Sequence, residues 1–440
     1  MKLGKLTFKG GIHIPDYKEL TEAKSIEKAK EPKIVYISLH QHVGSACKPI
    51  VKVGDNVKVG QKIGDTDTYL YAPVHSSVSG IVKEITSIYS PDGWKNETVV
   101  IESDGRNELH ESIKPNDYDR LSKEEKIQII KEAGIVGLGG AGFPMHSKLM
   151  TSDDGTVDVA ILNGAECEPY LNCDNRIMIE ESEKVIFGLK AIMDIMGIKD
   201  GFIGVEDNKM EAIDILNQTI QDDNIRVAKV KTKFPQGDSY RLVDAITDRK
   251  VPKGGRTKDA QSIVSNVYTA YAVSDALLEG KPLYERAVTI TGHGIKEPRN
   301  LLAKVGTPIG ELIEQCGGFN GKPGKIIVGG PMTGYAQYSL DTPITKTTAA
   351  IIVYTEEEAK PVKVLPCIRC GKCLSVCPAY LQPLFISAYA LKNDMEKADQ
   401  YDADACIECG SCSYICPSKR PLAESIRHAK KEIKAKRKKG

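Results

Sequence analysis

The sequence predicts a multidomain α/β protein with a short-stranded module at its N-terminus and a cysteine-rich helical unit at its C-terminus. Three observations predict it. The 440 residues suffice for about three domains at roughly 150 residues each. Apolar strand-like runs alternate with helical runs from Val157 to about Gly280, the pattern of a doubly wound sheet. Eight of the twelve cysteines fall between Cys367 and Cys416 in two identical spacings.

Composition removes several classes. Hydrophobic residues make up 41% and charged residues 27%, the balance of a globular protein in water. No run of about 18 consecutive apolar residues is present to span a bilayer. The opening Met1-Lys2-Leu3-Gly4-Lys5 has no apolar signal core. A soluble, intracellular chain without a transmembrane segment is expected, and nothing points to nucleic acid. The net charge of +1 hides an asymmetry: residues 427–440 carry +7, leaving −6 on the rest. Such a tail reads either as a solvated, frayed helix end or as an aid to docking on an acidic surface, worth about 1 kcal/mol per basic side chain near anionic lipid. With no apolar face evident beside it, docking is the most it offers.

Residues 1–115 read as short strands and turns. Val51, Val53, Val57 and Val59 flank Gly54-Asp55-Asn56, and a second such unit runs from Ala72 to Ile85. The run PIVKVGDNVKVGQKIGD resembles the lipoyl/biotinyl-type flattened barrel, a barrel sandwich. Carriers of that type present a lysine at a hairpin tip, but Asp65–Pro73 contains none, so a non-carrier module is expected. His40 and His42 would share a strand face, and with His75 they lack a ligand pattern; packing or surface hydrogen bonding is their expected role.

The next domain is assigned to 120–283. A helix around Glu124–Ala133 leads into GLGGAGFP, whose Gly137, Gly139 and Gly142 formally match G-x-G-x-x-G. The dinucleotide fingerprint needs a strand before it and a helix directly after; here a helix precedes and Pro144 follows. What remains is physical: glycine-rich backbone leaves bare amides that lie against a phosphate or a flat ring, although alone it reads equally as a tight connection. The apolar strand Val157–Leu162 ends in Asn163-Gly164-Ala165-Glu166-Cys167-Glu168-Pro169, and ligands of open α/β sheets bind beyond such strand ends. Further elements are expected at 180–196 (helix), 201–205 (strand), 209–220 (helix) and 226–230 (strand). A β-grasp unit is assigned to 284–358, with strands at 287–291 and 325–328 around a helix at 309–316.

The unit at 361–426 carries the most specific signal. Cys367, Cys370, Cys373 and Cys377 are spaced C-x2-C-x2-C-x3-C before Pro378; Cys406, Cys409, Cys412 and Cys416 repeat this before Pro417. A zinc ribbon needs only two C-x2-C pairs. The full spacing suits two 4Fe-4S clusters, with the fourth cysteine of each run reaching the other cluster. Cluster 1 is therefore assigned to Cys367, Cys370, Cys373 and Cys416, and cluster 2 to Cys377, Cys406, Cys409 and Cys412. Helices are expected between the motifs, around Leu384–Leu391. Cys47 and Cys316 read as buried hydrophobes.

GLGGAGFP, NGAECEPYLNCDNR, an N-terminal KGGIHIP and the two cysteine motifs together resemble the RnfC family of the Rnf electron-transport complex over essentially the whole chain. The α/β and β-grasp (SLBB-like) portions are also similar to the flavin-bearing, NADH-oxidising subunit of complex I. The resemblance implies a peripheral subunit on the cytoplasmic side of the cell membrane, binding FMN non-covalently and NAD(H). It implies neighbours among the other Rnf subunits, and ferredoxin as the electron donor, directly or through one of them. The complex would couple electron flow between ferredoxin and NAD to export of Na+ or H+. It further implies that Gly137, Gly139, Gly140, Ala141 and Gly142 cradle the flavin with Lys148 on the cofactor. Asn163 and Glu166 would lie beside the ring and ribityl chain, and Asn266 and Thr269 at the phosphate. Phe143 would stack on adenine, Glu168 would contact the nicotinamide side, and Cys167 would line the pocket. Hydride exchange between nicotinamide and flavin needs no proton-transfer residue, so no catalytic side chain is nominated. Two departures stand out: Leu138 replaces an arginine of the complex I relatives, and Gly237-Asp238-Ser239 replaces Gly-Glu-Glu. The competing readings are a cobalamin reductase with a similar loop and clusters, and a cluster-only electron-transfer adaptor.

Overall fold

The computed structural model describes residues 3–151 and 155–439. Met1, Lys2 and Gly440, which figure in the sequence reading of the two ends, lie outside the described residues, as do the side chains of Lys438 and Lys439.

The central domain holds a four-stranded parallel sheet in the order Ile225–Val230, Asp200–Glu206, Val159–Gly164, Ser262–Asn266. Chain order reverses between the last two, which makes their carboxyl ends the crevice where ligands bind in such sheets. Alternate side chains face opposite layers. Val159 and Ile161 pack with Leu242, Ala245 and Ile246 of the helix Ser239–Thr247. Ala160 and Leu162 pack with the helices Cys173–Glu180, Ser182–Met196 and Val267–Glu279. The helix expected over 180–196 is present as Ser182–Met196, and a separate helix, Cys173–Glu180, precedes it.

Ahead of this domain, two sheets form the flattened barrel. One pairs Ile34–Ser38, Lys95–Ser103, Gly80–Tyr89 and Asn56–Val57; the other pairs Lys48–Pro49, Lys62–Asp65 and Val74–His75. Val35, Ile37, Ile63, Val74, Val82 and Ile101 fill the space between them. The β-grasp domain places the helix Ile309–Gln315 on a mixed sheet that includes Glu285–Thr291, Arg299–Lys304, Pro323–Val328 and Ala350–Thr355.

Two features differ from the sequence reading. Residues 3–30 do not pair with the barrel sheets. Gly4 and Leu6 donate to Ile246 O and Ala245 O of the central domain, and Gly11 donates to Val376 O beside the first cysteine motif. Ile26–Lys28 then joins the β-grasp sheet, parallel to Arg299–Lys304. The segment is a strap across three domains. The boundary drawn at 426/427 also falls inside one helix, Leu422–Lys439. That helix has an apolar face, with Ile426, Ala429 and Ile433 buried against Ile386, Ala398 and Ala403. Arg437 is paired with Asp399 and Asp404 at 2.7 Å. The basic segment is packed on the cluster unit through Ile433, because the three apolar residues recur every three to four positions, while Lys431, Lys434 and Lys436 are exposed.

Candidate cofactor site

The glycine loop lies between the helices Lys123–Glu132 and Met145–Thr151, closed by a bridge from Val136 to Pro144. The first helix is fixed by a capping box in which Ser122 and Glu125 each accept the other's backbone N–H. Leu138 N donates to Thr269 Oγ1 at 2.9 Å, tethering the loop to the start of the helix Val267–Glu279. Gly142 sits at φ +72°, where a Cβ would meet Gln41 O at 3.0 Å. Glycine is required there by both conformation and space.

The strand Val159–Gly164 runs into a loop pinned from beneath by two buried lysines. Lys18, from the strap, donates to Glu168 O and Leu171 O, and Lys209 donates to Ala165 O at 2.7 Å. Glu166, at φ +46°, accepts from Asp174 N and Asn175 N. Non-glycine residues at positive φ are costly and persist where the surroundings over-determine them. Asn163 donates to Gly237 O at 2.8 Å and accepts from Ala165 N. Asn266 caps the helix Val267–Glu279, accepting from Tyr268 N and Thr269 N, and donates to Asp174 Oδ2 at 2.6 Å. Burial, aided by the charge of Glu166, pushes the Asp174 carboxyl up to about 6.

These groups wall one cavity of about 890 Å³ to which every domain contributes. That volume lies at the upper end for cofactor sites. Gly139, Gly140, Ala141, Asn163, Glu166, Glu168, Asn266 and Cys167 line it. Gly137, Gly142, Phe143, Lys148 and Thr269 do not: they shape the loop behind the wall. Lys148 donates to Val264 O instead of pointing at the cavity, and burial lowers its ammonium to about 8. Glu168 is turned to the β-grasp loop, accepting from Met332 N at 3.0 Å and from Thr333 Oγ1; burial raises its carboxyl.

Sequence reasoning missed Lys18, Lys209, Asp174 and Arg286; Lys18, Lys209 and Arg286 reach the site from other parts of the chain. Asp174 alone carried a signal, since it falls in the run NGAECEPYLNCDNR beyond the strand end. His40 and His42 line the cavity rim from a loop after Ile34–Ser38, not from a strand, each bonded to a backbone carbonyl.

The cysteines fall into two groups. Cys367, Cys370, Cys373 and Cys416 line one small pocket. Cys406, Cys409 and Cys412 lie close to one another and to Cys377, and their thiols are raised by burial and by these neighbours. Burial first, then this crowding, pushes Cys406 up to about 11 and Cys412 higher. Such thiols give up their protons when a metal takes their place, and the donor sets fit two cubanes. Cys409 also lines the large cavity, beside Ile407 and Glu408. Cys409, Met332 and Cys167 share an apolar cluster with Ile12 and Phe234. Cys47 and Cys316 are buried.

Four families match successive parts of the chain: the RnfC barrel sandwich hybrid domain over residues 6–106, the Nuo51 FMN-binding domain over 130–275, the SLBB domain over 287–336 and the 4Fe-4S dicluster domain over 363–420. The RnfC protein of the Na+-translocating ferredoxin:NAD+ oxidoreductase complex of Acetobacterium woodii is 46% identical, covering 99% of this chain and 98% of that protein. The chain belongs to the RnfC family. The RnfC protein of the proton-translocating complex of Clostridium ljungdahlii is 44% identical over 98% of this chain and 94% of its own. An NAD+-reducing NiFe-hydrogenase in its H2-reduced state shares the fold at TM-score 0.51 and 15% identity, covering 71% of this chain and 61% of that one. RnfC is thus a subunit of an ion-translocating ferredoxin:NAD+ oxidoreductase, with an FMN-binding domain and a dicluster domain. Among its described residues no helix is long and apolar enough to cross a membrane.

Proposed function

We propose that this RnfC chain is the peripheral, cytoplasm-facing subunit that passes electrons between ferredoxin, two 4Fe-4S clusters, FMN and NAD. The observation that carries this reading is that one cavity joins the glycine loop and strand ends to Cys409 of the second cysteine group. A bound flavin supplies the exchange between two-electron nicotinamide chemistry and one-electron cluster chemistry.

The chain's own residues supply position. Gly140 offers open backbone and Gly139 packs closely on the Asn266 side chain, while Asn163, Glu166 and Asn266 hold fixed polar groups around the cavity. Met332, Ile12, Phe234 and Cys167 form an apolar cluster with Cys409 where it meets the cavity. The second cysteine group is therefore the partner of the flavin, and the first faces outward.

The outward face fits a donor of definite chemistry. Cys367 and Cys370 are exposed, ringed by exposed Val364, Leu365 and Ile368. No acidic residue occurs from Ala359 to Asn393, whereas Lys360, Lys363, Arg369, Lys372 and Lys392 do. An apolar centre with a basic rim suits an acidic iron–sulfur donor such as ferredoxin, whose approach such charges steer.

Anaerobic purification tests the reading, with about eight irons and one FMN per chain expected. NADH should bleach the flavin. Cys370→Ala should abolish one cluster's EPR signal and leave that bleaching intact. Zinc in place of iron, or loss of bleaching in Cys370→Ala, contradicts it.

A further inference from the structure

Arg286 is the largest fully buried side chain of the protein, at 1% exposure. It stands on the β-grasp strand Glu285–Thr291 yet lines the cavity of the neighbouring domain. Its guanidinium lies 3.9 Å from the ring centre of Tyr268, in the first turn of the helix Val267–Glu279. Nε donates to Thr348 O at 3.3 Å and Nη2 to Leu138 O at 3.4 Å, both long, and Nη1 has no partner. Among the described residues no carboxylate lies within 4 Å of it; Asp174 acts on it only at longer range.

A buried, permanently charged group with an open donor is costly unless something completes it. The surroundings say what. The bare backbone of Gly139 and Gly140 lies beside Leu138, and the positive end of a thirteen-residue helix begins at Asn266. Helix N-termini and open backbone amides favour anions, and a planar guanidinium binds a phosphate better than any other side chain. Nε and Nη2 are taken by the carbonyls of Thr348 and Leu138, so the donor left for an anion is Nη1.

We propose that Arg286 reaches across from the β-grasp domain to bind the 5′-phosphate of the flavin, so that the site is complete only when the two domains are docked. This rests on the flavin reading above and names the group that distinguishes FMN from riboflavin.

Binding of FMN, riboflavin and NADH to anaerobically purified, flavin-stripped full-length protein, followed by fluorescence, tests it. The wild type should bind FMN far more tightly than riboflavin. Arg286→Met should lose about 30-fold or more in FMN affinity, the scale for removing one partner of a buried charge pair, with riboflavin and NADH changed less than about threefold. Arg286→Lys should recover part of the loss, and it carries the comparison if the methionine variant does not fold. Equal losses for FMN and riboflavin would make Arg286 a structural buttress and overturn the proposal. So would loss confined to NADH, or a wild type that does not distinguish the two flavins. A wild type that binds neither flavin would instead overturn the flavin reading itself.

Discussion

Asp174 and Glu166 face the same cavity, and the burial of Asp174, with the charge of Glu166 beside it, has a pH signature. The Asp174 carboxyl is raised from 3.8 to about 6, so the folded state prefers it protonated. Its stabilising effect is complete below pH 3.8 and is lost as pH rises through about 6. Asp174→Asn removes that loss and keeps an acceptor for Asn266. Thermal unfolding of the flavin-free variant should therefore give a higher Tm than wild type above pH 6 and no gain near pH 4; a uniform shift at all pH values would assign the effect to packing. The residue scale also shows what a sequence can reveal about a site. That Asn163, Glu166 and Cys167 line the cavity was legible because they lie at a strand end, and the two groups of four cysteines because their spacing is local. Arg286 and Lys18 were not, since each comes from a different part of the chain and acquires meaning only through long-range packing. Lys148 illustrates the converse: a basic residue after a glycine loop reads as a cofactor contact, but its ammonium finds a buried carbonyl on the neighbouring strand.

Among the elements, the helices Ser182–Met196 and Val267–Glu279 set the height of the site floor. They approach so closely at Gly188 that a Cβ there would sit 2.0 Å from Ala270 O. Backbone cannot yield as a side chain does, so Gly188→Ala should cost about 1–3 kcal/mol in denaturant unfolding. A cost near zero would mean that the helices slide freely. Ser122 acts on a smaller scale: Ser122→Ala breaks the capping box ahead of the glycine loop and should cost about 1 kcal/mol, with flavin affinity unchanged. Element types were largely readable from periodicity, including the central strands and the helix Pro383–Ala390. The three-residue strand Ile26–Lys28 was not, because its pairing partner lies some 270 positions away. The apolar face of the last helix is hidden in the sequence because many lysines surround Ile426, Ala429 and Ile433.

At the scale of the whole molecule, four domains line one cavity, and the first cysteine group stands outside it. If the acid-free face receives the donor, Lys363→Glu combined with Lys372→Glu should slow reduction by ferredoxin at least tenfold at low salt. The difference should shrink as ionic strength rises, since the screening length falls to about 8 Å at 0.15 M. NADH-driven flavin bleaching should not change. A variant that is reduced at the wild-type rate at low salt would move the entry port elsewhere. Electron transfer as proposed requires the flavin and the second cysteine group to share a chamber, and an iron anomalous map of anaerobic, FMN-loaded crystals checks this. Two iron peaks are expected, with the one held by Cys377, Cys406, Cys409 and Cys412 nearer the flavin density in the cavity. Flavin density outside that cavity, or a flavin nearer the Cys367 group, would contradict it.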